Sequence, residues 1–161
     1  MKVCICYESK TGNTKMLADV ICETYSGTLV EDPAQADVVF LGSWTDRGSC
    51  AEPVREIAAR LHHKRVFLFG TCGFGGSQTY YDQIFQRTAA LLPPDNVVIG
   101  RFYCQGKMPE VVKKRYLAAL RQDPENSQVR AALENFDQAL SHPDQADLQH
   151  LREALHTLAL S

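Results

Sequence analysis

The stretch Ser9-Lys10-Thr11-Gly12-Asn13-Thr14 gathers three hydroxyls, an amide and a glycine within six residues. It follows an apolar run, Val3-Cys4-Ile5-Cys6-Tyr7, and precedes Leu17, Val20 and Ile21, whose spacing is helical. The stretch is therefore read as a strand-to-helix turn, with Asn13 or Thr14 as the N-cap. Such a turn aims unpaired backbone N–H groups at one point, where the helix dipole also favours negative charge. That is a phosphate cradle built mainly from neutral donors. A capped turn that binds nothing is the plainer alternative. The Walker and G-x-G-x-x-G phosphate patterns are both missing.

Two later stretches bear on the choice. Gly42-Ser43-Trp44-Thr45-Asp46-Arg47-Gly48-Ser49-Cys50 reads as a polar loop and carries the chain's one Trp, outside every apolar periodic segment. A lone Trp is most often core, but its place on a polar loop argues for a contact surface. Thr71-Cys72-Gly73-Phe74-Gly75-Gly76-Ser77-Gln78-Thr79-Tyr80-Tyr81 is rich in glycine, which permits positive φ and close approach to a ligand.

The elements that must position these stretches alternate. Strands are expected at 3–7, 28–30, 38–41, 66–69 and 97–103, the last with Gly100 as a bulge. Helices are expected from Asn13 to Tyr25, from Pro53 to Leu61 and from Tyr81 to Leu92. Apolar strands alternating with helices give an α/β doubly wound parallel sheet. Five strands suit the order 2-1-3-4-5, whose switch point beside the first and third strands is where a ligand is expected. The C-terminal third adds three helical patterns, ending near Gln122, around Val129 to Leu140 and around Leu148 to Leu158. The chain is read as one domain over 1–161, with 1–122 as core and 123–161 as a C-terminal helical extension. The extension reads as extra packing on the sheet; a partner-docking lid and a dimer interface are the alternatives.

At 45% apolar and 22% charged residues, the composition suits a soluble globular protein, and no apolar run reaches transmembrane length. Met1-Lys2 leads straight into the first strand, with no signal-like segment. The six cysteines lack C-x-x-C spacing and read as free thiols of a cytoplasmic protein. A net charge of −2 without a Lys/Arg stripe argues against nucleic acid. No acid–base or nucleophile constellation is visible.

Ser-x-Thr-Gly-Asn-Thr at 9–14, together with the two later loops in the right order, resembles the flavodoxin family over roughly residues 1–120. The resemblance implies FMN as cofactor, with its phosphate in the turn of Ser9, Lys10, Thr11, Gly12, Asn13 and Thr14. It implies Trp44 as one wall of the flavin ring and Gly48 as a turning peptide, with Ser43, Thr45 and Asp46 alongside. Phe74 or Tyr80 would be the second wall, and the backbone of Thr71, Cys72 and Gly73 would supply donors to the ring edge. More narrowly, Cys104-Gln105-Gly106-Lys107-Met108 and Asn135 to Pro143 resemble a gut-bacterial subfamily that accompanies a bilirubin reductase as its electron-transfer partner. The reading implied is an electron carrier serving a partner reductase. An NAD(P)H-dependent flavin or quinone reductase and a non-catalytic interaction module are the alternatives. The chain departs from the family in being nearly neutral, with Lys10 and Arg47 in the site loops; a cation near the ring would raise its potential.

Overall fold

The computed structural model describes residues 1–158 and Leu160. Its elements are β1 (Val3–Glu8), α1 (Asn13–Thr24), β2 (Val38–Asp46), β3 (Ser49–Cys50), α2 (Glu52–Arg60), β4 (Arg65–Cys72), α3 (Gln78–Ala89), β5 (Val97–Gln105), α4 (Glu110–Gln122), α5 (Ser127–Ala139) and α6 (Gln145–Thr157). The apolar runs pair in parallel in the order β1-β2-β4-β5, with Val3 opposite Val38 and Val39 opposite Val66. On the free side of β1, Val3 bridges Leu29, so the segment around Leu29 occupies the outer position of the 2-1-3-4-5 arrangement.

The strand expected at 28–30 contracts to that single bridge. Val3 N–H donates to Thr28 O and Val30 N–H to Val3 O. The chain then turns at once, because Asp32 caps a 3-10 turn whose first residue is Pro33, which has no N–H to donate to a ladder. The bulge opposite β4 also sits one residue earlier than expected. Val66 pairs with Val98 and Phe67 with Gly100, leaving Ile99 as the extra residue.

Alternation along the strands splits the core between two faces. Val38, Phe40, Phe67 and Phe69 face α1 and α6, joining Leu17, Ile21, Leu148, Leu151 and Leu155. Val39, Leu41, Val66 and Leu68 face α2, joining Val54 and Ala58. α6 covers the sheet beside α1 and against β5, while α4 pairs with α5. Among the described residues no helix is long and apolar enough to cross a membrane.

Candidate functional site

The turn after β1 enters α1 through Gly12, whose φ of 88° belongs to the left-handed region. Neither Asn13 nor Thr14 caps the helix, contrary to the sequence reading; both are its first residues and both are buried. Their side chains are taken up elsewhere. Thr14 Oγ1 lies 3.1 Å from Thr71 Oγ1. Asn13 Nδ2 donates to Lys107 O at 2.8 Å, and Asn13 Oδ1 has no partner among the described residues although Asn13 is only 6% exposed. Ser9 Oγ accepts the Lys15 N–H at 3.3 Å. Lys15 itself pairs with Asp19 on the outer surface, at 2.8 Å.

The stretch expected to be a loop at 42–50 is mostly strand. Gly42, Ser43 and Trp44 continue β2 and pair with Phe69, Gly70 and Thr71. The polar residues there complete ladders at the carboxyl end of the sheet, which hydropathy alone does not register. Arg47 and Gly48, at φ 51° and 78°, form the two-residue turn into β3, a conformation that favours glycine at the second position. Arg87 Nη1 donates to Gly48 O at 2.9 Å. Ser43 Oγ donates to Trp44 O and accepts the Ala51 N–H, which fixes the hairpin to the start of α2. Thr45 Oγ1 donates to Thr71 O at 2.9 Å, with Cys72 Sγ 3.2 Å away.

These elements enclose a cavity of about 310 Å³ at the carboxyl ends of the strands. Lys10, Thr11 and Asn13 line it from the first turn; Trp44, Thr45 and Gly48 from the hairpin; Thr71, Cys72, Gly73, Phe74 and Tyr80 from the loop after β4. Phe74 and Tyr80 meet edge to face, with centroids 6.5 Å apart. Lys10 Nζ stands 4.8 Å from the Trp44 ring centroid. Ser9, Gly12, Thr14, Ser43 and Asp46 are not on the wall. Ser9, Thr14 and Ser43 support it through the bonds above, Gly12 turns the chain, and Asp46 pairs with Ser49 in the hairpin.

One wall was only partly legible. Gly106, Lys107, Met108 and Pro109, with Val111, Val112 and Arg115 of α4, complete the cavity. The resemblance at 104–108 is the sequence signal for this wall; nothing in the sequence marks the first turns of α4 as part of the site. The lining includes Lys10, Arg47, Lys107 and Arg115 and no carboxylate. Burial pushes the Cys72 thiol up to about 11 and raises Tyr80 as well, so the wall is neutral and the charge is cationic.

Residues 4–156 match the flavodoxin domain family. Two curated relatives, each a flavodoxin-like domain-containing protein BilS, are 34% identical to this chain. That of Clostridioides difficile (strain CD3) aligns over 159 residues and that of Clostridium symbiosum (strain WAL-14163) over 172, each spanning 92% of this chain and 90% of the relative. Among solved structures, the flavodoxin, WrbA-like protein of Agrobacterium tumefaciens superposes with a TM-score of 0.53 over 95% of this chain and 98% of that one. At 15% identity this is a likeness of fold alone.

Proposed function

The chain belongs to the flavodoxin family, and from that premise we propose that it holds FMN in this cavity and carries electrons to a partner reductase. The observation that carries the reading is the convergence of the turn after β1, the hairpin that ends β2 and the loop after β4 on one cavity, the latter two each contributing aromatic residues. The residues present fit the group. Trp44 and the Phe74–Tyr80 pair offer apolar walls to a flat ring. The N-terminus of α1 suits a phosphate, and the buried, unpartnered Asn13 Oδ1 is an acceptor waiting for a hydroxyl or N–H. FMN is the cofactor of this site, and when bound it supplies the redox chemistry. The chain's own residues orient it, exclude water and set the field around it.

The finer reading, delivery to a bilirubin reductase, is supported by the resemblance of the segments at 104–108 and 135–143 to the subfamily that accompanies such an enzyme. The cationic mouth, with Phe74 and Val111 exposed beside it, suits a partner that presents acidic side chains around an apolar spot. All six cysteines are free, which suits a reducing cytoplasm.

Absorption spectra of the purified protein, before and after adding FMN, test the cofactor. Flavin bands with quenched fluorescence are expected, and a colourless protein indifferent to FMN would overturn the reading. Mixing the reduced, loaded protein with bilirubin reductase and bilirubin, the terminal electron acceptor, under anaerobic conditions tests the partner. Reoxidation should accelerate, and less so as salt rises; an unchanged rate rejects that partner.

A further inference from the structure

Two stretches thirty residues apart meet on one carbonyl of the cavity wall. Gln105, the last residue of β5, donates from Nε2 to Gly73 O at 3.1 Å. Asn135 of α5 donates from Nδ2 to the same oxygen at 2.9 Å. The amides also contact one another, Gln105 Nε2 to Asn135 Oδ1 at 3.1 Å. The approach is close enough that a Cβ on Gly75 would fall 2.5 Å from Gln105 Cδ, so only glycine lets this side chain reach the carbonyl. Neither Gln105 nor Asn135 lines the cavity, whereas Gly73 and Phe74 both do.

We infer that Gln105 and Asn135 are positioning residues: by holding Gly73 O they fix the Gly73–Phe74 peptide in the cavity wall, and through it the hairpin of α4 and α5 tunes the bound flavin. The inference rests on the FMN reading of the cavity. A carbonyl oxygen offers two lone pairs, and here two side-chain amides take them. The peptide unit is planar and trans, so fixing its oxygen also fixes the Phe74 N–H on the opposite side. The segment contains Gly73, Gly75 and Gly76, and without those bonds its backbone samples several orientations. A dipole held in place before the ligand arrives needs no reorganisation when charge builds on it. Binding to it also carries no ordering cost for the loop. The remote helix α5 thereby acts on a site that it does not touch.

The experiment uses the full chain loaded with FMN and two near-isosteric neutral variants, Asn135→Leu and Gln105→Met. Neither changes charge, so a shift in potential cannot come from a lost or gained ion. Each variant is expected to weaken FMN binding about threefold to tenfold, the loss of one hydrogen bond. At saturating FMN, each should also move the mid-point potential of the bound flavin to a more negative value. The double variant should fall short of the sum, because both side chains act through one oxygen. A substitution that merely loosened the fold would lower the melting temperature and the loaded fraction, but would leave the potential of that fraction unchanged. That result, or wild-type affinity and potential in both variants, overturns the inference while the FMN reading stands. Failure of the unsubstituted chain to bind FMN overturns both.

Discussion

α6 turns Leu148, Leu151 and Leu155 into the core against α1 and β5, and all three are buried. α4, also 13 residues long, buries none of its side chains, and its partner α5 buries only Phe136 and Ala139. α6 begins in a capping box closed between Asp144 and Asp147, while α4 begins after Pro109 without a side-chain cap. The relation to the cavity is reversed. α4 contributes Val111, Val112 and Arg115 to its wall, and α6 contributes nothing. The C-terminal third therefore contains two kinds of helix, one that holds the sheet and a pair of which α4 lines the cavity and α5 backs α4.

The largest effect expected from this contrast is on stability. Leu151→Ala deletes a side chain that is fully buried between the sheet and α1. Such deletions cost about 3 kcal/mol, lowering the melting temperature of a chain this size by about 10 °C. Well below the transition, the folded protein should bind FMN as the unsubstituted chain does. Thermal unfolding and an FMN titration check both parts. A shift of only a degree or two would mean that α6 is no more structural than α4.

The converse substitution lies on α4. Arg115→Gln removes one of the four cavity cations from a helix without buried residues. Stability should stay within about 0.5 kcal/mol. The potential of bound FMN should drop by roughly 20–40 mV, because a nearby cation favours the electron-rich ring by about 0.5–1 kcal/mol at solvent-exposed range. Arg47→Ala should move it in the same direction. Redox titration decides, and an unchanged potential with a lowered melting temperature would abolish the distinction between the two kinds of helix.

Periodicity in the sequence was enough to identify α6, because Leu148, Leu151 and Leu155 repeat on one face and meet a sheet that alternation had already defined. The same reasoning found α4 and α5 as helices but not what they do. Their apolar residues are spaced as regularly as those of α6, as Val129, Leu133 and Phe136 of α5 show, and a regular stripe is equally consistent with a packing face and a cavity wall. The first turn is legible in composition, yet the sequence offers Asn13 or Thr14 as its cap where Gly12 stands. A cap and a buried first-turn residue share the same polar side chains, and only the tertiary partners Lys107 O and Thr71 Oγ1 tell them apart. Trp44 lines the cavity, although it stands on a strand rather than a loop. Its neighbours are polar because they face the cavity and the hairpin, so hydropathy alone ends β2 at Leu41.

The smallest effect concerns how α6 starts. Asp144 Oδ1 accepts the Asp147 N–H at 2.9 Å, and Asp147 Oδ2 accepts the Asp144 N–H at 2.8 Å and lies 2.7 Å from His142 Nδ1. His142, Asp144 and Asp147 thus bring possible metal-ligand atoms within 4.8 Å of one another, but each is already engaged in closing the helix. The Asp147 N–H bond, with the nearby His142, holds the Asp144 carboxyl below the usual carboxylate range. A folded-state pKa lower than the unfolded one contributes stability that is present above the unfolded value, about 3.9, and lost as pH falls through the folded value. Asn caps as well as Asp but does not titrate there. Asp144→Asn should therefore resemble the unsubstituted chain least near neutral pH, and the two melting temperatures should converge as pH falls below about 4. Because the Asp144 side chain is 42% exposed and solvent screens its charge, the gap should be small at any pH, and parallel curves from pH 7 to 3 would mean that its charge does nothing for α6. α4 has no such carboxylate cap to lose, so a pH-dependent difference confined to Asp144 variants would come from α6 alone.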